Sequence, residues 1–414
     1  MKKRIVAFLL CFTAMVGVPV SAADHSDHGS SVAVPPVAKA PDRDKVWRDI
    51  LAKPSLAVSA AFDGNGRLWL AGIRGRHVYV GYSDDHGVTR SPPVKVNAEP
   101  EDILGDGENR PKILVRKGVI YVSYTQGLAK PMTGDIRFSR SLDGGKSFTP
   151  PVTVNDNREI ISHRFEAMEV NDKGQVFLAW LDKRDLAAAQ AQGKPYRGAA
   201  VYSAQSDDGG ASFRPNRNAA DHSCECCRVA MALDRDGAPV ILWRQVFGKN
   251  TRDHALLKLD GKSTMQRASQ DGWELDACPH HGPALSIAVD GIYHQTWFTN
   301  APQRKGLFYA NSADGGKTYS APLSFGNYDA QAGHADVLSQ GKAVYLTWKE
   351  FDGETGGAYL MVSRDGGANW SAPRKVASSA DNSDHPFLVG DGQRAYLSWN
   401  TLKEGYRLIE VTVQ

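Results

Sequence analysis

Apolar and polar residues alternate with period two in one segment after another: VIYVSYTQ from Val119, QVFLAWLD from Gln175, PVILWRQ from Pro239, IYHQTWFTN from Ile292, AVYLTWKE from Ala343 and RAYLSWNT from Arg394. This is the pattern of half-buried antiparallel strands. Tyr124, Trp180, Trp243, Trp297, Trp348 and Trp399 share one equivalent position, which predicts aromatic packing between successive sheets. An apolar strand and a Gly turn precede each segment, and a third and a short fourth strand follow it. An earlier unit, SLAVSAAFDGNGRLWLAGIRG from Ser55, brings the count to seven. The expected fold is therefore all-β: a β-propeller of four-stranded blades, seven rather than six, whose radial repetition leaves only short protected edges. The last unit, from Asp384, has three strands, and DKVWRDIL near Lys45 to Leu51 is expected to add the fourth and close the ring.

A short phrase punctuates these units. SLDGGKSF from Ser141, SDDGGASF from Ser206, SADGGKTY from Ser312 and SRDGGANW from Ser363 share the form S-x-D-x-G-x-x-aromatic; SDDHGVTR from Ser83 ends on Arg90 instead. The Asp side chain can accept from backbone N–H groups further along, and Gly supplies a positive φ, so each phrase predicts a closed turn. The aromatic is expected to anchor that turn on the next blade. Asp208 to Asp314 is 106 residues but Asp314 to Asp365 is 51, so one unit lacks a good phrase, and SQDGWELD around Asp271 is the expected remnant.

These phrases resemble the Asp-box, or BNR, repeats of sialidase-like propellers, along essentially the whole chain after its N-terminal tail. The resemblance implies Asp turns between third and fourth strands on one face of the disc. Starts of first strands and ends of second strands then converge on the channel mouth at the other face. The count departs from the family, whose familiar sialidases have six blades.

Residues 1–23 have a basic start, an apolar run and small residues at Val20, Ala22 and Ala23, the layout of a secretory signal peptide. Residues 24–43 read as a flexible tail in which His25 and His28 are solvated, and 44–414 as a single propeller domain. The product is expected to be exported, periplasmic or secreted, with no transmembrane segment. A formal net charge of +3 provides no field for nucleic acid.

First strands begin NRPKILV, HRFEAMEV, CRVAMAL, HGPALSI, HADVL and HPFLV. Arg110, Arg164 and Arg228 thus share one phase in three consecutive blades, and His281, His334 and His385 share it in the next three. This ring predicts a site at the channel mouth. HSCECCR places Cys224, Cys226 and Cys227 just before Arg228, and ACPHHG places Cys278, His280 and His281 before the next blade. With Cys11 in the leader, four cysteines remain, which suits two disulfides in an oxidising compartment and then no cofactor. The same residues suit a metal: thiolates and imidazoles take copper first in an exported protein, with zinc as the alternative. The candidate ligands are Cys224, Cys226, Cys227, Cys278, His163, His280, His281, His334 and His385, with Met168 and Met231 as nearby thioethers.

The family resemblance implies another chemistry. Sialidases hold a substrate carboxylate with three arginines and use an Asp acid/base and a Tyr nucleophile activated by a Glu. Arg110, Arg164 and Arg228 would form such a clamp for a small anionic or glycan ligand, and Asp182, Glu166 and Tyr196 are the candidate catalytic groups. Family arginines lie on non-consecutive blades, however, and the Arg-Ile-Pro motif appears only as Arg110-Pro111. Three classes follow: a metal-binding propeller, a sialidase-like hydrolase and a non-catalytic interaction platform.

Overall fold

The structure, a computed structural model, describes residues 55–411. These form seven antiparallel sheets, blades I to VII, spanning 58–95, 103–153, 163–223, 230–267, 284–325, 333–379 and 387–410. In blades I and III to VI the strands pair in chain order, so each blade is a meander from first strand to fourth. Blade II carries an extra two-residue strand beside its second. Blade VII has three strands among the described residues; DKVWRDIL, the leader and the tail lie outside them. Blade VII still meets blade I directly, since Val58 N–H donates to Asp384 Oδ2 at 3.2 Å and Asn400 Nδ2 to the Leu56 carbonyl at 2.9 Å.

The core lies between blades, as period-two strands require. Tyr121, Ile136 and Phe138 of blade II pack with Met168, Leu178 and Trp180 of blade III. Trp180, Trp243, Trp348 and Trp399 are fully buried. A buried indole N–H needs an acceptor, and three find one two residues on: Trp180 donates to Asp182 at 2.9 Å, Trp243 to Gln245 at 2.7 Å and Trp348 to Glu350 at 2.7 Å.

Each full phrase closes the turn after a third strand. In SLDGGKSF the Ser141 hydroxyl donates to Asp143 Oδ1 at 2.8 Å, while the Ser147 N–H and hydroxyl donate to the same carboxylate at 3.0 and 2.6 Å. The aromatic anchors on the preceding blade, not the next as expected. Phe213 of blade III meets Phe138 of blade II edge-on at 5.2 Å, and Trp370 of blade VI meets Tyr309 of blade V at 4.8 Å. The remnant also moves. Asp271 follows the fourth strand of blade IV and accepts from Trp297 Nε1 at 2.8 Å. The turn after the third strand, His254–Lys258, is made by Asp260, which accepts from the N–H groups of Lys262 and Ser263. Its Ser and aromatic are missing, so spacing alone could have found it.

Candidate functional site

Glu108 organises the mouth. It sits in the loop leading into the first strand of blade II, Lys112–Arg116, and is buried. Its Oε2 accepts from the N–H groups of Gly282 at 2.9 Å and Arg228 at 3.2 Å, and its Oε1 accepts from Arg228 Nη1 at 2.8 Å. His334 Nδ1 lies 3.1 Å from that Oε1, and His385 Nδ1 lies 3.7 Å from it. One carboxylate therefore joins blade II to the residues entering blades IV, V, VI and VII. Burial alone would raise its pKa, but the Arg228 guanidinium and His334 hold it well below the usual carboxylate range. Two glycines make this approach sterically open: a Cβ on Gly107 would stand 2.3 Å from His385 Nδ1, and one on Gly282 would stand 2.6 Å from Glu108 Oε2.

The histidines of the expected ring are stacked. His281, His334 and His385 lie ring on ring, with centroids 4.6 and 3.5 Å apart, and Phe298 backs His281 at 4.1 Å. Burial, then the neighbouring His334, brings His281 down to about 3 and pushes His385 well down. His334 holds φ at +55° and Phe165 at +64°, each at a break in strand register beside a mouth residue. Such bulges re-aim side chains at functional rims.

The three arginines reach the mouth, each facing a carboxylate of the protein itself. Arg110 pairs with buried Asp384 at 2.9 Å and lies 3.6 Å from the Phe387 ring centroid. Arg228 pairs with Glu108 at 2.8 Å, and Arg164 stands 3.8 Å from Asp106. Behind them a cavity of about 230 Å³ runs between first strands, lined by Lys112, Met168, Met231 and Asp336. Burial brings Lys112 down to about 8 there.

Each of the catalytic candidates has partners within the protein. Asp182 is fully buried and holds the Trp180 indole and the Arg184 guanidinium, which donates to it at 2.8 Å. Glu166 faces the hydroxyls of Thr125 and Ser123 inside the channel, and burial raises its pKa. Tyr196 donates to Asp221 at 3.0 Å and packs against His222, so it is bonded to neither Glu166 nor Asp182. His163 Nδ1 lies 2.9 Å from the Gly134 carbonyl and 3.3 Å from Asp135, which ties blade III to blade II, and its buried Nε2 has no hydrogen-bond partner.

The cysteines form a separate cluster. Cys224, Cys226 and Cys227 fill the loop between the fourth strand of blade III, Arg217–Ser223, and the first strand of blade IV, Ala230–Leu233. All three are buried. Cys224 Sγ lies 3.8 Å from Cys226 Sγ and 3.7 Å from Cys227 Sγ, and all three sulfurs fall within 4.8 Å of one another. A disulfide needs about 2.05 Å, so the four described cysteines are free thiols. Cys278 is exposed in the loop before blade V, and its interaction with Cys226 lowers its pKa. His280 is exposed in the same loop with φ of +53°. Hydrogen bonds from Cys226 and Cys227, with Arg244 and Arg252 nearby, push the Cys224 thiol well down. Buried Arg244 donates to the carbonyls of Arg252, His281 and Phe298, and buried Arg252 to that of Leu275. Neither has a carboxylate partner among the described residues.

Fold and site together define a seven-bladed β-propeller with an Arg/His/Glu mouth and a thiol cluster in the loop leading to one of its arginines. Neither a protein-family model nor a curated protein matches the sequence. Solved structures match its fold, sialidase-like propellers among them. The BP39L lectin from Burkholderia pseudomallei aligns with a TM-score of 0.57 at 10% identity, over 86% of this chain and 95% of its own. A protein of unknown function from Dyadobacter fermentans gives 0.53 at 17% identity, over 74% and 96%. The intramolecular trans-sialidase from Ruminococcus gnavus, in complex with oseltamivir carboxylate, gives 0.50 at 12% identity, over 75% and 98%.

Proposed function

We propose that this chain is an exported propeller of Asp-box type that binds a soft metal ion through Cys224, Cys226 and Cys227, with Cys278 as the outer fourth ligand. Copper(I) is the first ion and zinc the second. The observation that carries the reading is the sulfur spacing. An ion with metal–sulfur bonds of about 2.3 Å sets its sulfurs about 3.8 Å apart in a tetrahedron and about 4.0 Å apart in a trigonal plane, against 3.7 and 3.8 Å here. Charge supports it. A buried guanidinium without a counter-ion is destabilising by several kcal/mol, and among the described residues Arg244 and Arg252 have carbonyls and the Trp273 ring as partners but no carboxylate. Copper(I) on three thiolates, or zinc(II) on four, carries two negative charges and balances both. The basic, apolar leader supports export, where soft thiolate donors favour copper.

Metal analysis of protein purified under reducing, oxygen-free conditions tests this. After copper(I) is offered, about one copper per chain is expected, lost in the Cys224→Ser/Cys227→Ser variant. Metal-free parent protein with all four thiols titratable after copper(I) is offered would overturn it.

A glycan ligand is the second reading, supported by the shared fold with the lectin and the trans-sialidase. Arg110 and Arg228 are held by Asp384 and Glu108, so this reading leans on Arg164. It requires binding to an acidic glycan that Arg164→Ala abolishes; a glycan panel with no binder removes it.

A further inference from the structure

We propose that Glu108, His334 and His385 form a second cation site at the axis, built for a borderline divalent ion such as zinc, cobalt(II) or nickel(II). It uses nitrogen and oxygen donors and none of the thiols, so it stands apart from the copper reading. Glu108 Oε1 and the two Nδ1 atoms all lie within 4.8 Å of one another. The two nitrogen-to-oxygen separations, 3.1 and 3.7 Å, bracket the edge of about 3.4 Å that a tetrahedral ion with bonds of about 2.1 Å imposes.

The second observation is an unmet nitrogen. His385 Nδ1 is buried and has no hydrogen-bond partner, and neither does His281 Nδ1 in the ring beyond His334. A proton shared between His334 and Glu108 satisfies one imidazole only. With the imidazole protons on Nε2 instead, both Nδ1 atoms turn lone pairs toward the Glu108 carboxylate, in rings stacked at 3.5 Å. A divalent cation resolves this, because it accepts both lone pairs and the carboxylate at once. The surroundings orient the ligands as metal sites require. The N–H groups of Gly282 and Arg228 fix Oε2, Arg228 Nη1 fixes the carboxylate plane, and His281 and Phe298 stack behind His334. Two histidines and one carboxylate leave open positions facing the mouth, the arrangement that admits water or a small anion as a further ligand.

Cobalt(II) titration of the reduced full-length protein separates the two sites, since cobalt on thiolates gives a sulfur-to-metal charge-transfer band and cobalt on His/Glu ligands does not. The expected result is, besides any equivalent on the thiols that shows a sulfur band, one further equivalent of cobalt with d–d absorption and no sulfur character. Its affinity should fall in His385→Gln by more than the about 10–100-fold that loss of an outer-shell partner causes. His385→Gln removes no hydrogen bond of the side chain, so the variant should fold, and an unchanged melting curve without metal confirms it. Glu108→Gln should lose the same equivalent while keeping any sulfur band. Loss of the sulfur band alone would sink the thiolate reading and leave this one standing. Cobalt bound solely with sulfur character, or bound equally by His385→Gln, would overturn it.

Discussion

Glu108 is the residue on which the mouth depends, since it neutralises Arg228, caps the N–H groups of Arg228 and Gly282 and orients two imidazoles. Removing one member of a buried ion pair typically costs about 3–5 kcal/mol. Glu108→Ala should therefore lower the unfolding free energy in urea by about that much, whereas a loss below about 1 kcal/mol would mean the pair is solvated. A pH effect belongs to this scale too. Burial, and for His254 also Arg244, pushes His254 well below the usual imidazole range, and burial brings His294 to about 4. The unfolded chain then binds protons below about pH 6.5 that the folded chain refuses. Stability should be full above that value and fall as pH drops toward 4; equal urea midpoints at pH 7 and pH 5 would contradict it. The Arg and His phases were legible because their residues repeat relative to a strand start. Glu108 was not, because it lies in the loop before Arg110, where no periodicity marks it. Its signal was the single acid in GENR, which only a fold could place opposite four other blades.

Strands and turns were the most legible level, since period-two alternation and a recurrent phrase are local. What sequence could not decide was direction: which neighbouring blade an anchoring aromatic meets depends on blade twist. The misplaced remnant has a similar origin, because Asp271 sits in a phrase-like string yet serves the Trp297 indole. Hydrogen bonds from its own turn residues bring the Asp143 carboxyl to about 2, and those of Asp314 and Asp365 likewise. A depressed carboxylate pKa contributes stability above about pH 3.9 that disappears as pH falls through about 2. The amides of Gly145 and Ser147 should accordingly keep hydrogen-exchange protection to about pH 3. Asp143→Ala should remove it at Ser147 without affecting the equivalent amide of Ser212. Loss spreading to other blades would show that the phrase stabilises the disc rather than its own turn.

For the whole molecule, seven blades were countable in advance because each unit must bury its faces against its neighbours. The split of one expected Cys/His site into a thiol cluster and a His/Glu cluster was not. Sequence brings Cys278, His280 and His281 within four positions, but the chain turns between them, so Cys278 reaches Cys226 while His281 stacks on His334. A ligand that binds only the folded disc stabilises it by about 2.7 kcal/mol at a hundredfold excess over Kd. Copper(I) should raise the melting temperature of the parent and leave Cys224→Ser/Cys227→Ser unmoved; equal shifts in both would place the ion elsewhere.

X-ray absorption at the copper edge of the reduced protein, loaded with one equivalent of copper(I), decides whether the thiol cluster binds the ion. A first shell of sulfur alone at about 2.3 Å, three or four atoms per ion, is the predicted result. A shell of nitrogen and oxygen with no sulfur, in protein whose four thiols are intact, would contradict it.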